Sequence, residues 1–212
     1  MNPIRKIKNL IGAERMSIIM ESNLAYKLEP LEEVIGGEIV MMATPTSNHN
    51  RVTGNIYHLF RTYLGDRKCE PFPDREALYL EDDAEEYQPD GMIVCDPDKV
   101  KPDGVHGAPD LVVEVLSPST GKNDKGHKKD VYEKYGVREY WIVSPGDCSV
   151  ERYILKDGRF VLRDVYQQYP EFMLKRMKEE EKAALVTEFQ SAVFDGLTVR
   201  LDDVFYRVTP GV

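Results

Sequence analysis

A chain of 212 residues, 42% apolar and 31% charged, has enough nonpolar surface for one ordinary core and is not a disordered or low-complexity polymer. Its 37 acidic against 28 basic side chains leave a formal charge of -9. That excess argues against non-specific coating of nucleic acid, because phosphate contacts need cations, yet it leaves room for a local basic site.

Residues 1–20 show no clear period, and Arg5, Lys6 and Lys8 precede only a brief apolar patch broken by Glu14 and Arg15. This is a poor signal peptide and is read as an N-terminal extension. No apolar run approaches the roughly 20 residues of a bilayer span, so no membrane association is expected. Cys69, Cys95 and Cys148 are odd in number, far apart and never in a CxxC arrangement. That usage predicts reduced thiols and a cytoplasmic protein rather than a disulfide framework or a zinc ribbon.

From residue 21 to 208 the pattern is that of a single α/β domain. Val34 to Met42 gives two extended pieces around Gly36-Gly37, a hairpin signature, with Glu38 opening the second strand. Pro45 to Asn48 caps a helix whose stripe is Val52, Ile56, Leu59, Phe60 and Tyr63, ending at Gly65-Asp66. Leu78 to Leu80 reads as a strand and Glu81 to Glu86 as an acidic loop. A strand follows, entered through Pro89 and Asp90. Asp96 to Ala108 reads as a loop by composition.

Next comes Pro109 to Pro118, a buried strand in which Val112, Glu114 and Leu116 share one face and Val113 and Val115 the other. Asp124 to Tyr135 reads as a helix stopped by Gly136, and Tyr140 to Val143 as a strand. Val150 to Leu155 and Arg159 to Tyr166 form a hairpin. Residues 170–186 read as a helical insertion, and Val193 to Leu201 with Val204-Phe205 as a last strand and closing turn.

Glu114 is an acid in an otherwise apolar strand, which is costly unless it is paired or binds a metal. With Asp90 at the neighbouring strand, and the Val115 carbonyl beside it, the pair suits Mg²⁺ or Mn²⁺, a cation that activates water and stabilises charge on a phosphate under attack. The alternative is structural: Asp90 caps a turn, and Glu114 pairs with a buried arginine or tyrosine. The following helix bears on the choice, since Asp124, Lys128, Val131, Tyr132 and Tyr135 fall within one sector of about 100°. An inward lysine there stabilises an oxyanion or orients water; otherwise its stem packs on the tyrosines.

The chain resembles the Uma family of putative restriction endonucleases, a branch of the PD-(D/E)XK nuclease superfamily. The resemblance rests on Pro89-Asp90, on Pro109 to Thr120, on Asp124, Lys128, Tyr132 and Gly136 spaced by fours, and on Val137 to Val143. Gly37 to Met42 and Pro45 to His49 also fit. It implies a restriction-endonuclease-like fold, a central mixed β-sheet flanked by helices, with Asp90 and Glu114 as metal ligands. The superfamily's usual lysine lies two residues beyond the second acid, where this chain has Leu116; the family places it on the helix, at Lys128. Glu38 matches a family acid near the site, implied to hold a second metal or orient water, with a turn-flanking surface glutamate as the alternative. His49 matches a family histidine, either touching phosphate or water or capping the helix. The expected activity is metal-dependent endonucleolytic hydrolysis of nucleic acid, with DNA the expected substrate and a homodimer by analogy with duplex cutters. The competing reading is an inactive binding or assembly module on a nuclease fold.

Overall fold

The structure, a computed structural model, describes residues 32–81, 84–118 and 120–209; the expected N-terminal extension lies outside them. The two glycines expected to turn a hairpin do so. Strands β1 (Glu32–Ile35) and β2 (Glu38–Met41) pair antiparallel around Gly36 and Gly37, which sit at φ of +60° and +79°. These left-handed values cost little in a residue without Cβ. Helix α1 (Ser47–Leu64) begins where the Thr46 hydroxyl accepts the His49 N–H and ends at Gly65. Its buried residues Val52, Ile56, Phe60 and Leu64 recur every four positions and so return to one side.

Strands β3 (Glu70–Pro73), β4 (Leu78–Glu81), β5 (Glu85–Tyr87) and β6 (Gly91–Val94) come next, then β7 (Val100–Lys101), β8 (Gly104–His106) and β9 (Leu111–Val115). The stretches expected to be loops at 81–86 and 96–108 therefore contain strands. Pieces of two or three residues carry no readable period, so composition alone pointed to loops. The helix expected over 124–135 is two helices, α2 (Gly121–Lys125) and α3 (His127–Tyr135), broken at Gly126. Strand β10 (Glu139–Ser144) precedes the hairpin β11 (Ser149–Lys156) and β12 (Arg159–Gln167). In place of one helix over 170–186 there are two short ones, α4 (Glu171–Leu174) and α5 (Glu179–Ala183), neither with a buried residue. Helical propensity without an apolar face to bury does not sustain a longer helix. The last strand expected at 193–201 resolves into β13 (Glu188–Gln190) and β14 (Thr198–Arg200), followed by α6 (Leu201–Val204).

Two six-stranded mixed sheets organise the chain, in the orders β2-β1-β5-β4-β8-β7 and β12-β11-β10-β9-β6-β3. In the second, β9 and β10 are parallel and the other pairs antiparallel. Because side chains alternate along a strand, each face of this sheet has its own core. Val113, Val115, Trp141, Val143 and Val150 pack against α1 and the C-terminal residues Phe189, Phe194, Leu197 and Phe205. On the other face Val112, Tyr140 and Ile142 meet Leu78 and Tyr87 of the first sheet and Val131 and Tyr132 of α3. The expected mixed sheet flanked by helices is present, with a second sheet completing one face.

Glu139 is wholly buried, and its carboxylate fastens the C-terminal segment to β10. It accepts from Trp141 Nε1 at 2.8 Å, Ser191 Oγ at 2.7 Å, and the N–H groups of Ala192 and Val193 at 2.8 and 3.2 Å. Four donors satisfy a buried acid as water would.

The structure corrects the expectation of three reduced thiols: Cys69 and Cys95 form a disulfide, and only Cys148 is free and buried. Glu70 pairs with Val94 in the β3–β6 ladder, which sets Cys69 beside Cys95 one step further on. Two prolines hid β3 from the sequence reading. They are tolerated because β3 is an edge strand, where missing ladder donors cost little.

Replacing Glu139→Ala strands those donors and should cost on the order of 3 to 5 kcal/mol in urea unfolding, with Glu139→Gln clearly milder. An alanine variant within 1 kcal/mol of wild type, roughly the net worth of a single hydrogen bond, removes this anchoring role. The disulfide closes a sequence separation of 26 residues, which is worth ~3 kcal/mol. Full reduction should lower the unfolding midpoint accordingly, and Cys69→Ser should make the protein insensitive to reductant.

Candidate active site

Alternation along β9 sends Glu114 to the face shared with Val112, away from Val113 and Val115, and buries it. Strand β6 runs antiparallel beside β9, with Gly91 opposite Val113. Asp90, one residue before β6, therefore reaches the C-terminal end of β9, where its Oδ2 accepts the Val115 N–H at 2.7 Å. The long loop between the two acids does bring their strands together as neighbours. Val115 contributes its N–H to Asp90 in this arrangement, while its carbonyl lies against the His49 ring.

Helix α3 lays Lys128 and Tyr132, one turn apart, over Glu114. Lys128 is only 2% exposed. Its Nζ lies 2.7 Å from Glu114 Oε1, 3.0 Å from Glu33 Oε1 and 3.6 Å from Asp124 Oδ1. The Tyr132 hydroxyl donates to Glu114 Oε1 at 2.7 Å. Asp124, on the preceding helix, is buried on the same side. His49, in the first turn of α1, places Nε2 3.1 Å from Asp90 Oδ1.

Glu33 is the site residue that sequence reasoning missed. It accepts the Gln88 N–H at 2.9 Å as well as the lysine. The signal was present: Glu33 shares a strand face with Ile35, so it points inward wherever that hydrophobic residue does. Glu38 pairs with Ile35 across the turn and so lies on that same face, but at the exposed tip, without a contact to Lys128. The structure thus brings together Asp90, Glu114, Lys128, Asp124, Tyr132 and His49, adds Glu33, and leaves Glu38 outside.

The electrostatics follow from three acids sharing one lysine, with Asp90 close by. Burial pushes the Glu114 carboxyl up, Asp124, Asp90 and Glu33 push it further, and Lys128 only partly opposes them. Burial alone would lower Lys128, but Glu114, Glu33 and Asp124 outweigh it and hold the ammonium well above its usual range. His49 is likewise raised, since the Asp90 carboxylate overcomes the effect of its burial. Lys128 is therefore a fixed positive charge and not a proton acceptor.

A simple buried ion pair needs one acid, and Lys128 has three. Asp124 is held by Lys128 Nζ at 3.6 Å and by the Thr120 hydroxyl, both of which favour its carboxylate against burial. Among the described residues no three His, Cys, Asp or Glu side chains already converge as a cation site. The donor set nonetheless suits a hard divalent cation: it is all oxygen, and its acids outnumber the lysine.

Comparisons with known proteins bear on the family and the fold. Residues 24–180 match the family model Uma2, described as "putative restriction endonuclease". The chain is 29% identical over 150 residues to the uncharacterized protein sll1609 of Synechocystis, covering 69% of this chain and 85% of that one. It is also 29% identical over 126 residues to slr1290 of the same organism, covering 59% and 66%. Among solved structures, a putative nuclease belonging to DUF820 from Anabaena variabilis superposes with a TM-score of 0.61 at 18% identity, over 83% of this chain and 90% of that one. At that identity the likeness speaks for the fold, and the match over most of the sequence for the family: the chain belongs to the Uma2 family of putative restriction endonucleases.

Proposed function

We propose that the chain is a Mg²⁺- or Mn²⁺-dependent endonuclease hydrolysing phosphodiester bonds, with DNA as its substrate. The observation that carries this is the buried Lys128 among Glu33, Glu114 and Asp124, with Asp90 acting on Glu114 from the neighbouring strand. Asp90, Glu114 and the Val115 carbonyl would hold the cation, which supplies Lewis acidity to water and to phosphate oxygen. The protein's own groups do the positioning. Tyr132 and Lys128 fix one Glu114 oxygen, and the Val115 N–H fixes one oxygen of Asp90, so both carboxylates keep their orientation. Lys128, permanently charged, offsets negative charge gathering at the site. His49 neutralises Asp90 and would give way to the cation. Support for the reading comes from family membership and the oxygen-rich donor set. A cytoplasmic homodimer and one 21–208 nuclease domain belong to the same proposal, and Glu38, at the exposed hairpin tip, stays outside the site.

A second reading keeps a specific observation. Lys128 is enclosed by acids and 2% exposed, and Leu116 stands at the superfamily's usual lysine position. Both suit a non-catalytic module on a nuclease fold, in which the lysine only stabilises the core.

Asp90→Ala should reduce metal-dependent cleavage of plasmid DNA by about 10²- to 10³-fold, the usual effect of losing a group that stabilises developing charge. Cleavage that persists at the wild-type rate refutes the site. Calorimetry with Mn²⁺ separates the two readings, because a module without a metal site gives no saturable heat.

Glu33→Gln should lower activity by about 10- to 100-fold, as loss of a supporting partner does, with the protein still folded. Glu38→Gln should leave the rate within about twofold of wild type, as for a surface group. Equal losses in both variants would return Glu38 to the site.

A further inference from the structure

The face of the second sheet opposite Glu114 carries a second polar feature. Arg152 pairs with Trp141, and Trp141 with Val113, so Arg152 shares their face and not that of Glu114. Alternation puts Arg152, Ile154 and Lys156 on one side of β11, and Val161 and Arg163 of β12 adjoin them. With Ala192 these residues line a concavity of about 440 Å³. Its wall holds three cations and no acid.

These cations are poorly matched within the protein. The Arg152 side chain is nine-tenths buried, its Nη1 donates to the Gln190 carbonyl, and its Nε has no hydrogen-bond partner. Glu139 pairs with Arg152 at 3.9 Å from Nε, a carboxylate also engaged by Trp141, Ser191, Ala192 and Val193, and Asp164 stands opposite Arg152 in the β11–β12 ladder. Among the described residues Lys156 and Arg163 form no ion pair. Asp164, the acid beside Arg163 in sequence, accepts the Val165 N–H. Neighbouring cations behave differently: Arg138 pairs with Asp110 at 3.1 Å, Arg159 with Glu133 at 2.8 Å and Lys125 with Glu151. Register shifts in the β11–β12 ladder, leaving Arg163 as the extra residue without a strand partner. A bulge of this kind re-aims a side chain.

In a chain of net charge -9, three cations around one hollow, of which only Arg152 has an acid behind it, leave a local positive excess. Guanidinium groups match phosphate oxygens in shape as well as charge. Ile154, Val161 and Ala192 add a nonpolar wall that bare phosphate would leave uncovered. We propose that Arg152, Lys156 and Arg163 form a binding site for a phosphate ester, separate from the carboxylate cluster and independent of the nuclease reading. The ester is either a free small molecule or a nucleic-acid backbone phosphate.

The test follows the Arg152 Nε–Hε resonance by NMR in the full-length protein with EDTA present. The probes are inorganic phosphate, thymidine monophosphate and a 12-base-pair DNA duplex. A saturable shift with thymidine monophosphate, tighter than with inorganic phosphate, supports the site and makes the ligand a small ester. A shift with the duplex alone supports it and makes the ligand a backbone phosphate. In either case K156Q/R163Q, whose exposed side chains leave folding intact by thermal melting, should weaken binding at least about tenfold, as for loss of charge-assisted contacts. R138Q should not. No shift with any probe, or wild-type affinity in the double variant, overturns the proposal. A protein that cleaves nothing yet still shifts Arg152 would remove the nuclease reading and leave this site standing.

Discussion

Lys128 is a cation almost wholly removed from water, and it lies within 3.6 Å of carboxylates from three parts of the chain. Glu33 comes from the first hairpin, Glu114 from the middle of the second sheet, and Asp124 from the helix before the lysine. Isolated burial of any one of these charges would be prohibitive. Together they are tolerable, because the lysine offsets the acids and Tyr132 adds a hydrogen bond. The consequence is mutual dependence: the first sheet, β9 and α3 must all be docked before the charges are compensated. The same contacts that close the core on this face assemble the carboxylates.

Two buried acids in this protein show how structural and functional burial differ. Glu139 has a donor for each demand of its carboxylate: an indole, a hydroxyl and two backbone N–H groups. It is a finished arrangement. The Glu114 cluster is balanced differently, with three acids around one lysine and the Glu114 carboxyl pushed up by burial and by its neighbours. Such an excess of acids in a core is relieved by protonation of a carboxyl or by a further cation, and perturbed groups of this kind cluster at functional sites.

Much of this was legible because the relevant information is local. The period of β9 placed Glu114, the helical phase of residues 124–135 turned Lys128 and Tyr132 inward, and the Gly-Gly pair set the first hairpin. Information that depends on distant pairing was not legible. Strands β3, β5, β7 and β8 are short, proline-bearing or acidic, and they exist because neighbours supply hydrogen bonds. The disulfide was hidden with β3. Glu33 and Glu38 look alike in sequence, and only the depth of the hairpin, with its turn in solvent, separates the buried acid from the exposed one.

A lysine on a helix is controlled differently from one on the strand that carries Glu114. A lysine at position 116 would leave from the end of β9, and its presence near Glu114 would be guaranteed by two residues of backbone. Lys128 instead depends on how α3 seats. Gly126 breaks the helix just before it, a Cβ there would meet the Lys122 carbonyl at 2.9 Å, and Val131 and Tyr132 hold the remainder down. Its charge is thus supplied by tertiary packing and lost if that packing loosens. The electrostatics around Glu114 are thus linked to the docking of one short helix, and Leu116, packed against the same core as Val112, Tyr140 and Ile142, is part of what seats it.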